Sequence, residues 1–223
     1  FGGGALYLAM GVLAGVIEAQ KSGKGQVVDC AMTDGSASLM AMFYGMKGMG
    51  RWSEERGTNM IDGGSHFYTV YKTKDDNYIS VGSIEPKFYQ ELLEKSGLAE
   101  DASLPKQLDE SGWAIMKEKL TAIFLSKTRT EWCDIMEGSD VCFAPILNME
   151  ESINHPHNVD RNTFVEIGGI MQPAPAPRFD RTPSDIPKPS SAPGEDTVAV
   201  LSDWGFDDKE IQGLKDSKAI MQS

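Results

Sequence analysis

The chain has 223 residues, which is enough for one large domain or two modest ones. Its formal net charge of -12 at pH 7 argues against nucleic-acid binding, which needs clustered Lys and Arg, and against an anionic membrane surface. The three cysteines are too few and too irregularly spaced for a disulfide framework or a zinc site, so we expect buried thiols in a reducing compartment at Cys30, Cys133 and Cys142.

The first segment predicts a long helix. Apolar side chains recur at helical spacing after an opening glycine triplet, and Gly23 is the residue type at which helices commonly end. The longest apolar stretch, residues 5–19, is shorter than the about 20 residues that a membrane span needs. No basic segment typical of a signal peptide precedes it, so no membrane partner is expected.

A short strand and a second helix are predicted next. Residues 26–32 (QVVDCAM) are typical of a buried strand, and the following helix has Thr33 or Asp34 as its expected N-cap. Helix, strand and helix at this spacing are typical of the end of an α/β layer, so residues 1–63 predict part of a larger domain. The methionines, which are dense between Met32 and Met60, indicate core and interface packing, or alternatively an adaptable apolar surface for a variable acyl chain.

Residues 64–156 predict a small α+β unit. After Phe67 the sequence alternates as two strands joined by the polar turn Lys74–Asn77, and a helix with Pro86 in its first turn follows. Two further helices and a strand complete the unit, at residues 114–125, 129–136 and 141–148.

Residues 157–223 predict a proline-rich linker and two short helices. Seven of the eleven prolines lie between Pro173 and Pro193, which is typical of an extended segment. The helices, at residues 196–204 and 207–214, both begin with acidic side chains that the helix dipole favours.

Glu85 is the candidate catalytic residue. Pro86 biases the Glu85 backbone away from helical geometry, so the glutamate is expected at the mouth of the helix. The helix dipole favours an ionised carboxylate there, and such a carboxylate orients a histidine general base and stabilises its imidazolium. On the residues alone, the alternative is a surface carboxylate that caps the helix.

Other candidates have ambiguous patterns. The glycine triplet offers free amides to an anion or a thioester oxygen, or it only allows a tight turn into the helix. His66 is either an acid/base or a structural loop histidine. His155 and His157 have no third ligand nearby in the sequence, so no metal site is expected.

Six motifs spread over the chain carry a family resemblance: FGGGALYL, SGKGQVVDCAMTDGSA, RGTNMIDGGSHFYTVY, SVGSIEPKFY, TEWCDIMEGSDVCFAPIL and PAPAPRF. Together they resemble the α-methylacyl-CoA racemases of the CaiB/BaiF family, which includes the class III CoA-transferases. The resemblance implies an α/β fold with a Rossmann-like large domain and a small α+β domain in an interlocked homodimer. Residues 1–63 would end the large CoA-binding domain, 64–156 would form the small domain, and 157–223 would return to the large domain.

The implied reaction interconverts (R)- and (S)-2-methylacyl-CoA thioesters by 1,1-proton transfer at the α-carbon. It needs no cofactor, because the CoA thioester is itself the substrate. In the family, the aspartate that transfers a proton belongs to a Gly-Asp-Phe-Gly-Gly-Gly motif, and Phe1 begins the part of that motif found in this chain. The histidine that transfers the other proton lies further upstream. We therefore expect residues 1–223 to be the C-terminal part of the enzyme and to be inactive without the N-terminal part.

The resemblance also assigns roles to residues of this chain. Glu85 resembles the glutamate that hydrogen-bonds the catalytic histidine of the opposite subunit. The implied substrate-binding residues are Gly2, Gly3, Gly4, Tyr68 and Ile84. Ser65 and His66 stand where family members have Ala-Pro, so this loop is expected to shape the site differently.

Two alternatives remain open from the sequence. A class III CoA-transferase would use the upstream aspartate as a nucleophile, although its glycine-rich loop is usually longer than Asp62–His66. A truncated subunit that only dimerises is the non-enzymatic alternative. The expected location is cytoplasmic, or mitochondrial or peroxisomal in a eukaryote, and the chain does not end in Ser-Lys-Leu.

Overall fold

The computed structural model describes residues 1–223 as a mixture of helices and strands. The helices are α1 (Tyr7–Ser22), α2 (Met32–Leu39), α3 (Ala41–Gly48), α4 (Pro86–Ser96), α5 (Trp113–Phe124), α6 (Arg129–Met136), α7 (Met149–Asn154), α8 (Pro156–Asp160), α9 (Thr197–Asp203) and α10 (Asp208–Asp216). The strands are β1 (Tyr68–Lys72), β2 (Tyr78–Gly82), β3 (Phe143–Ile146), β4 (Phe164–Ile167) and β5 (Ile170–Pro173). The chain forms two compact units, Phe1–Ile146 and Leu147–Ser223. The predicted domain boundaries at 63/64 and 156/157 stay predictions.

The N-terminal helix is longer than its apolar stretch suggested. A π-helical turn, Gly2–Leu6, leads directly into α1, and Gly23 ends the helix in the left-handed conformation with φ of 73°. The resulting Gly2–Ser22 helix has 21 residues and a mean hydropathy of 1.5 over its most apolar window, and none of that window is buried. By length and composition it could cross a membrane, so the expectation that it is too short is wrong.

Close backbone contacts nevertheless pack this helix against α2. A Cβ atom at Gly35 would occupy the space of the Gly3 carbonyl group, so glycine is required at this crossing. Further along, a Cβ at Gly11 would lie 2.8 Å from a methyl carbon of Val28 and 3.1 Å from the sulfur of Cys30. These contacts are typical of packing inside a protein domain.

Two sequence predictions for residues 24–40 are wrong. Residues 24–31 form no strand, and Val27 is 95% exposed, because no neighbouring strand lies beside this segment to pair its backbone groups. Neither Thr33 nor Asp34 caps the second helix, since α2 begins at Met32 after Ala31, which provides no side-chain hydrogen bond. The predicted single helix is also divided at Met40.

The methionines of this region lie mostly at the surface of the chain. Between Met32 and Met60, four are largely exposed: Met32, Met40, Met42 and Met49. The expectation of core packing is therefore wrong for these four side chains within residues 1–223, and the alternatives of an interface or an apolar surface remain.

The predicted hairpin is confirmed as part of a three-stranded antiparallel sheet, in the order β1–β2–β3. Its turn has Asp76 at φ of 60°, and the Asp75 carboxylate accepts hydrogen bonds from the Thr73 hydroxyl and the Asn77 amide. These bonds hold the pKa of Asp75 well below its usual range.

One face of the sheet packs on helices and the other is open. Alternation along the strands turns Tyr71, Ile79 and Val81 toward the core, where they are almost completely buried. The helices α4, α5 and α6 are confirmed, and they contribute the other large buried side chains: Leu92, Trp113, Met116, Leu120, Phe124, Trp132 and Met136. The sheet and helices α4, α5 and α6 therefore share one hydrophobic core, and the opposite face of the sheet is open.

The second compact unit contains elements that the sequence analysis missed. They are the short helices α7 and α8 and the hairpin β4–β5. The signal for the hairpin was the Gly168-Gly169 pair, whose φ angles of 60° and 79° form its turn. Residues 174–196 form neither a helix nor a strand, and α9 and α10 follow, as predicted.

Candidate functional site

The segment that leads from β2 into α4 is held rigidly. Ser83 is fully buried, and its hydroxyl donates a hydrogen bond to the Val141 carbonyl at 2.5 Å. The Gln107 side-chain amide donates to the carbonyls of Ser83 and Ile84, at 3.0 and 2.8 Å. Because the carbonyls of both residues are hydrogen-bonded, the backbone that precedes Glu85 has a fixed direction.

Glu85 lies at the N-cap of α4, as the sequence predicts. Its backbone is extended, with φ of -69° and ψ of 141°, and Pro86 occupies the first helical position. The carboxylate makes no capping hydrogen bond and has no ion-pair partner in the chain, and the residue is exposed. The capping alternative therefore lacks its defining contact, whereas an unpaired carboxylate at a rigid helix mouth is suited to bind a group from outside the chain.

Tyr68 and Ile84 lie near this helix mouth. Tyr68 begins β1 and pairs with Gly82 of β2, so that its ring edge lies over the glycine. Ile84 is partly buried and packs against the core. The negative charge of Glu85 contributes to the raised pKa of the Cys142 thiol, after the larger effect of desolvation.

The expectation that all cysteines are buried is wrong for Cys142. The three thiols are free, Cys30 and Cys133 are half-buried, and Cys142 is exposed just before β3. The residue lines a groove together with Tyr68 and Gly82.

The loop before β1 is organised by one carboxylate. Asp62 accepts hydrogen bonds from the backbone amides of Asn59, Gly57 and Gly64, at 2.8, 3.1 and 3.2 Å. The Asn59 side-chain amide adds a fourth bond at 2.7 Å. Partial desolvation acts to raise the pKa of Asp62, but the hydrogen bonds outweigh it and keep the pKa below its ordinary value. Lys117 fastens the loop from α5 by donating to the Gly63 carbonyl.

His66 points into the core and not into the site. It is fully buried, its Nε2 atom lies 2.9 Å from the Tyr89 hydroxyl oxygen, and its Nδ1 atom has no partner. Burial and the positive charge of Lys117 lower the pKa of His66 to about 4. A neutral, inaccessible imidazole is not placed to exchange protons with a substrate, so the geometry favours the structural alternative for His66.

The glycine triplet lies in a different group of residues. Gly2, Gly3 and Gly4 belong to the π-helical turn, which packs against α1 and α2. Gly3 faces Ser36, and Gly4 faces Met32. The structure thus brings Glu85, Tyr68 and Ile84 together, while the triplet lies apart from them. No three His, Cys, Asp or Glu side chains lie close enough together to hold a metal ion.

Sequence comparison relates the chain to known enzymes. It is 41% identical to the α-methylacyl-CoA racemase of Mus musculus and 39% identical to that of Homo sapiens, in each case over 99% of the chain and 58% of the relative. It is 24% identical to the succinyl-CoA:glutarate CoA-transferase of Homo sapiens, over 97% of the chain and 51% of that enzyme. The chain thus spans little more than half the length of these relatives.

Solved structures support the fold. A CaiB/BaiF family protein from Brucella suis matches with a TM-score of 0.67 and 17% identity, over 90% of the chain and 54% of that protein. Rv3272 from Mycobacterium tuberculosis matches with a TM-score of 0.65 and 22% identity, over 86% and 52%. The sequence model of CoA-transferase family III matches residues 1–197, which include both the N-terminal helix and the Glu85 motif. The chain therefore belongs to CoA-transferase family III and has the fold of the CaiB/BaiF proteins.

Proposed function

We propose that the full-length protein is an α-methylacyl-CoA racemase, which interconverts (R)- and (S)-2-methylacyl-CoA by 1,1-proton transfer. The identity of 39–41% to two racemases, against 22–24% to the succinyl-CoA:glutarate CoA-transferases, favours this activity within the family. The observation that carries the proposal is the Glu85 carboxylate, which is unpaired and held at the mouth of α4.

The chemistry explains why such a carboxylate is useful. A thioester delocalises the negative charge of an α-carbanion onto its oxygen, which lowers the barrier to proton removal. Inversion then requires a base on one face of the α-carbon and an acid on the other. The resemblance assigns these roles to a histidine and an aspartate in sequence that precedes the equivalent of Phe1.

Glu85 would act on the histidine and not on the substrate. By accepting a hydrogen bond from the imidazole, the carboxylate would fix the ring and stabilise the imidazolium that forms when the α-proton is taken. The family resemblance implies that this contact crosses between the subunits of a homodimer. Glu85 is exposed and unpaired within its own chain, and this is the condition that a contact across subunits needs.

A class III CoA-transferase is the second candidate function. Family membership supports it, since the chain matches several CoA-transferases over most of its length. That reaction would transfer CoA to a free carboxylic acid through covalent intermediates on an upstream aspartate. The short Asp62–His66 loop argues against it, because such intermediates need shielding from water.

Isotope exchange in the full-length protein separates the two functions. Incubation of (S)-2-methyldecanoyl-CoA in deuterated water should produce both epimers with deuterium at the α-carbon, while total thioester is conserved. A parallel reaction with succinate as acceptor should yield no succinyl-CoA. Transfer to succinate without α-deuteration would overturn the racemase proposal.

A further inference from the structure

A strap of chain between α4 and α5, residues 104–112, is tied to the backbone that carries Glu85. Gln107 lies in the middle of this strap and is half-buried. Its side-chain amide donates to the Ser83 carbonyl at 3.0 Å and to the Ile84 carbonyl at 2.8 Å. One side chain, 23 residues from Ile84 in the sequence, thus fastens both residues that lead into the mouth of α4.

The contact with Ile84 bears directly on the position of Glu85. The Ile84 carbonyl belongs to the peptide group that links Ile84 to Glu85, and because a peptide group is planar, its oxygen and the Glu85 Cα atom move together. On the other side, the Glu85 carbonyl accepts a hydrogen bond from the Tyr89 amide at 3.0 Å, in the first turn of α4. Gln107 and α4 therefore each fix one of the two peptide groups that meet at the Glu85 Cα atom.

The strap is itself firmly packed, so it can hold Gln107 in place. The indole nitrogen of Trp113, the first residue of α5, donates to the Gln107 carbonyl at 2.9 Å, and Trp113 is buried in the core. Pro105 lies directly against Gly112, where a Cβ atom would overlap the proline ring. A side chain at Gly112 would have to displace Pro105, so this close approach requires glycine. The strap therefore connects the mouth of α4 to the rigid core.

The Glu85 side chain depends on this backbone for its direction. The carboxylate is exposed and makes no capping bond and no ion pair in the chain. We infer that Gln107 is a positioning residue for Glu85: it holds the Ile84–Glu85 peptide group so that the carboxylate meets the catalytic histidine already aligned. This inference rests on the proposed function, in which Glu85 acts on that histidine.

Gln107→Met tests the inference in the full-length protein, because methionine has nearly the same length and volume but no hydrogen-bond donor. With (S)-2-methyldecanoyl-CoA in deuterated water, kcat for α-deuteration should fall by about threefold to tenfold, since misplacing a group by about 1 Å can cost about a hundredfold. KM should change by less than about twofold. Gln90→Met is the matched control and should keep the wild-type kcat, because the Gln90 amide lies on the exposed side of α4 and donates to the Glu94 side chain.

A double-mutant cycle separates positioning from a loss of stability. In a Glu85→Ala background the carboxylate is absent, so Gln107→Met should cause no further loss of kcat. Thr128→Ala removes a capping box elsewhere in the same compact unit, and it should leave kcat unchanged while the protein remains folded. The same fold loss from Gln107→Met in both backgrounds would overturn the inference.

Gly112→Ala tests the strap without altering the Gln107 amide. It should displace Pro105 and lower kcat in the same Glu85-dependent way, which covers the case that Gln107→Met does not fold. If Glu85→Ala lowers kcat but both strap variants keep the wild-type value, the inference is wrong and the proposed function stands. If the wild-type protein shows no α-deuteration, the racemase proposal fails and the role of Gln107 fails with it.

Discussion

The buried histidine predicts an acid-dependent loss of stability. His66 is neutral and fully buried, and its pKa falls from an ordinary 6.5 to about 4 in the folded chain. As the pH falls below 6.5, the unfolded chain takes up a proton that the folded chain refuses until about pH 4. The free energy of unfolding should therefore decrease as the pH falls from 6.5 to about 4. Below about pH 4 the contribution of His66 should stop changing.

The magnitude follows from the size of the shift. A difference of roughly 2.5 pKa units corresponds to about 3 kcal/mol, at about 1.4 kcal/mol for each unit. Burial raises the pKa of Tyr89, whose hydroxyl faces the imidazole, to about 12, far above this interval. The Tyr71 hydroxyl, which donates to the His66 carbonyl at 2.6 Å, has a pKa that burial raises further. The effect therefore belongs mainly to the imidazole.

Urea unfolding at a series of pH values measures this effect. Tryptophan fluorescence is a suitable probe, because Trp113 contacts Phe67 beside the histidine. The His66→Gln variant keeps a hydrogen-bonding group for the Tyr89 hydroxyl but does not titrate. Between pH 6.5 and 4, its free energy of unfolding should therefore fall by about 3 kcal/mol less than that of the wild type. His157→Gln, at an exposed histidine, should behave like the wild type. Parallel curves for wild type and His66→Gln would refute the reasoning.

Three further substitutions have expected outcomes. In the full-length enzyme, Glu85→Gln should reduce kcat by about tenfold or more and leave CoA affinity nearly constant, because it removes the charge that stabilises an imidazolium; unchanged kcat with a lowered melting temperature would indicate a structural role. Thr128→Ala should lower the free energy of unfolding by about 1 kcal/mol in urea titrations, because it removes the capping box with Glu131. Phe124→Ala should cost roughly 3–5 kcal/mol by the same measurement, because Phe124 is fully buried between Tyr71 and Trp132; a loss below about 1 kcal/mol would contradict the assigned core.

The sequence by itself determined the features that depend on neighbouring residues. Alternation and a polar turn predicted the β1–β2 hairpin, and Pro86 at the first helical position predicted the start of α4. Glu85 could be placed at the helix mouth for the same reason, since proline restricts the residue before it. Motif order also predicted the family, which the comparisons confirm.

Only the tertiary structure decided features that depend on distant parts of the chain. Residues 26–32 have strand-like composition but form no strand, because a strand requires a neighbour for its hydrogen bonds. His66 became a buried neutral group because α4 and α5 bring Tyr89 and Lys117 to it, from 23 residues away in the case of Tyr89. The Tyr68 ring lies over Gly82 because the register of the β1–β2 pair places these two residues opposite each other. Local preference biases the conformation of a segment, but strand pairing, burial and pKa are set by the residues that the fold brings into contact.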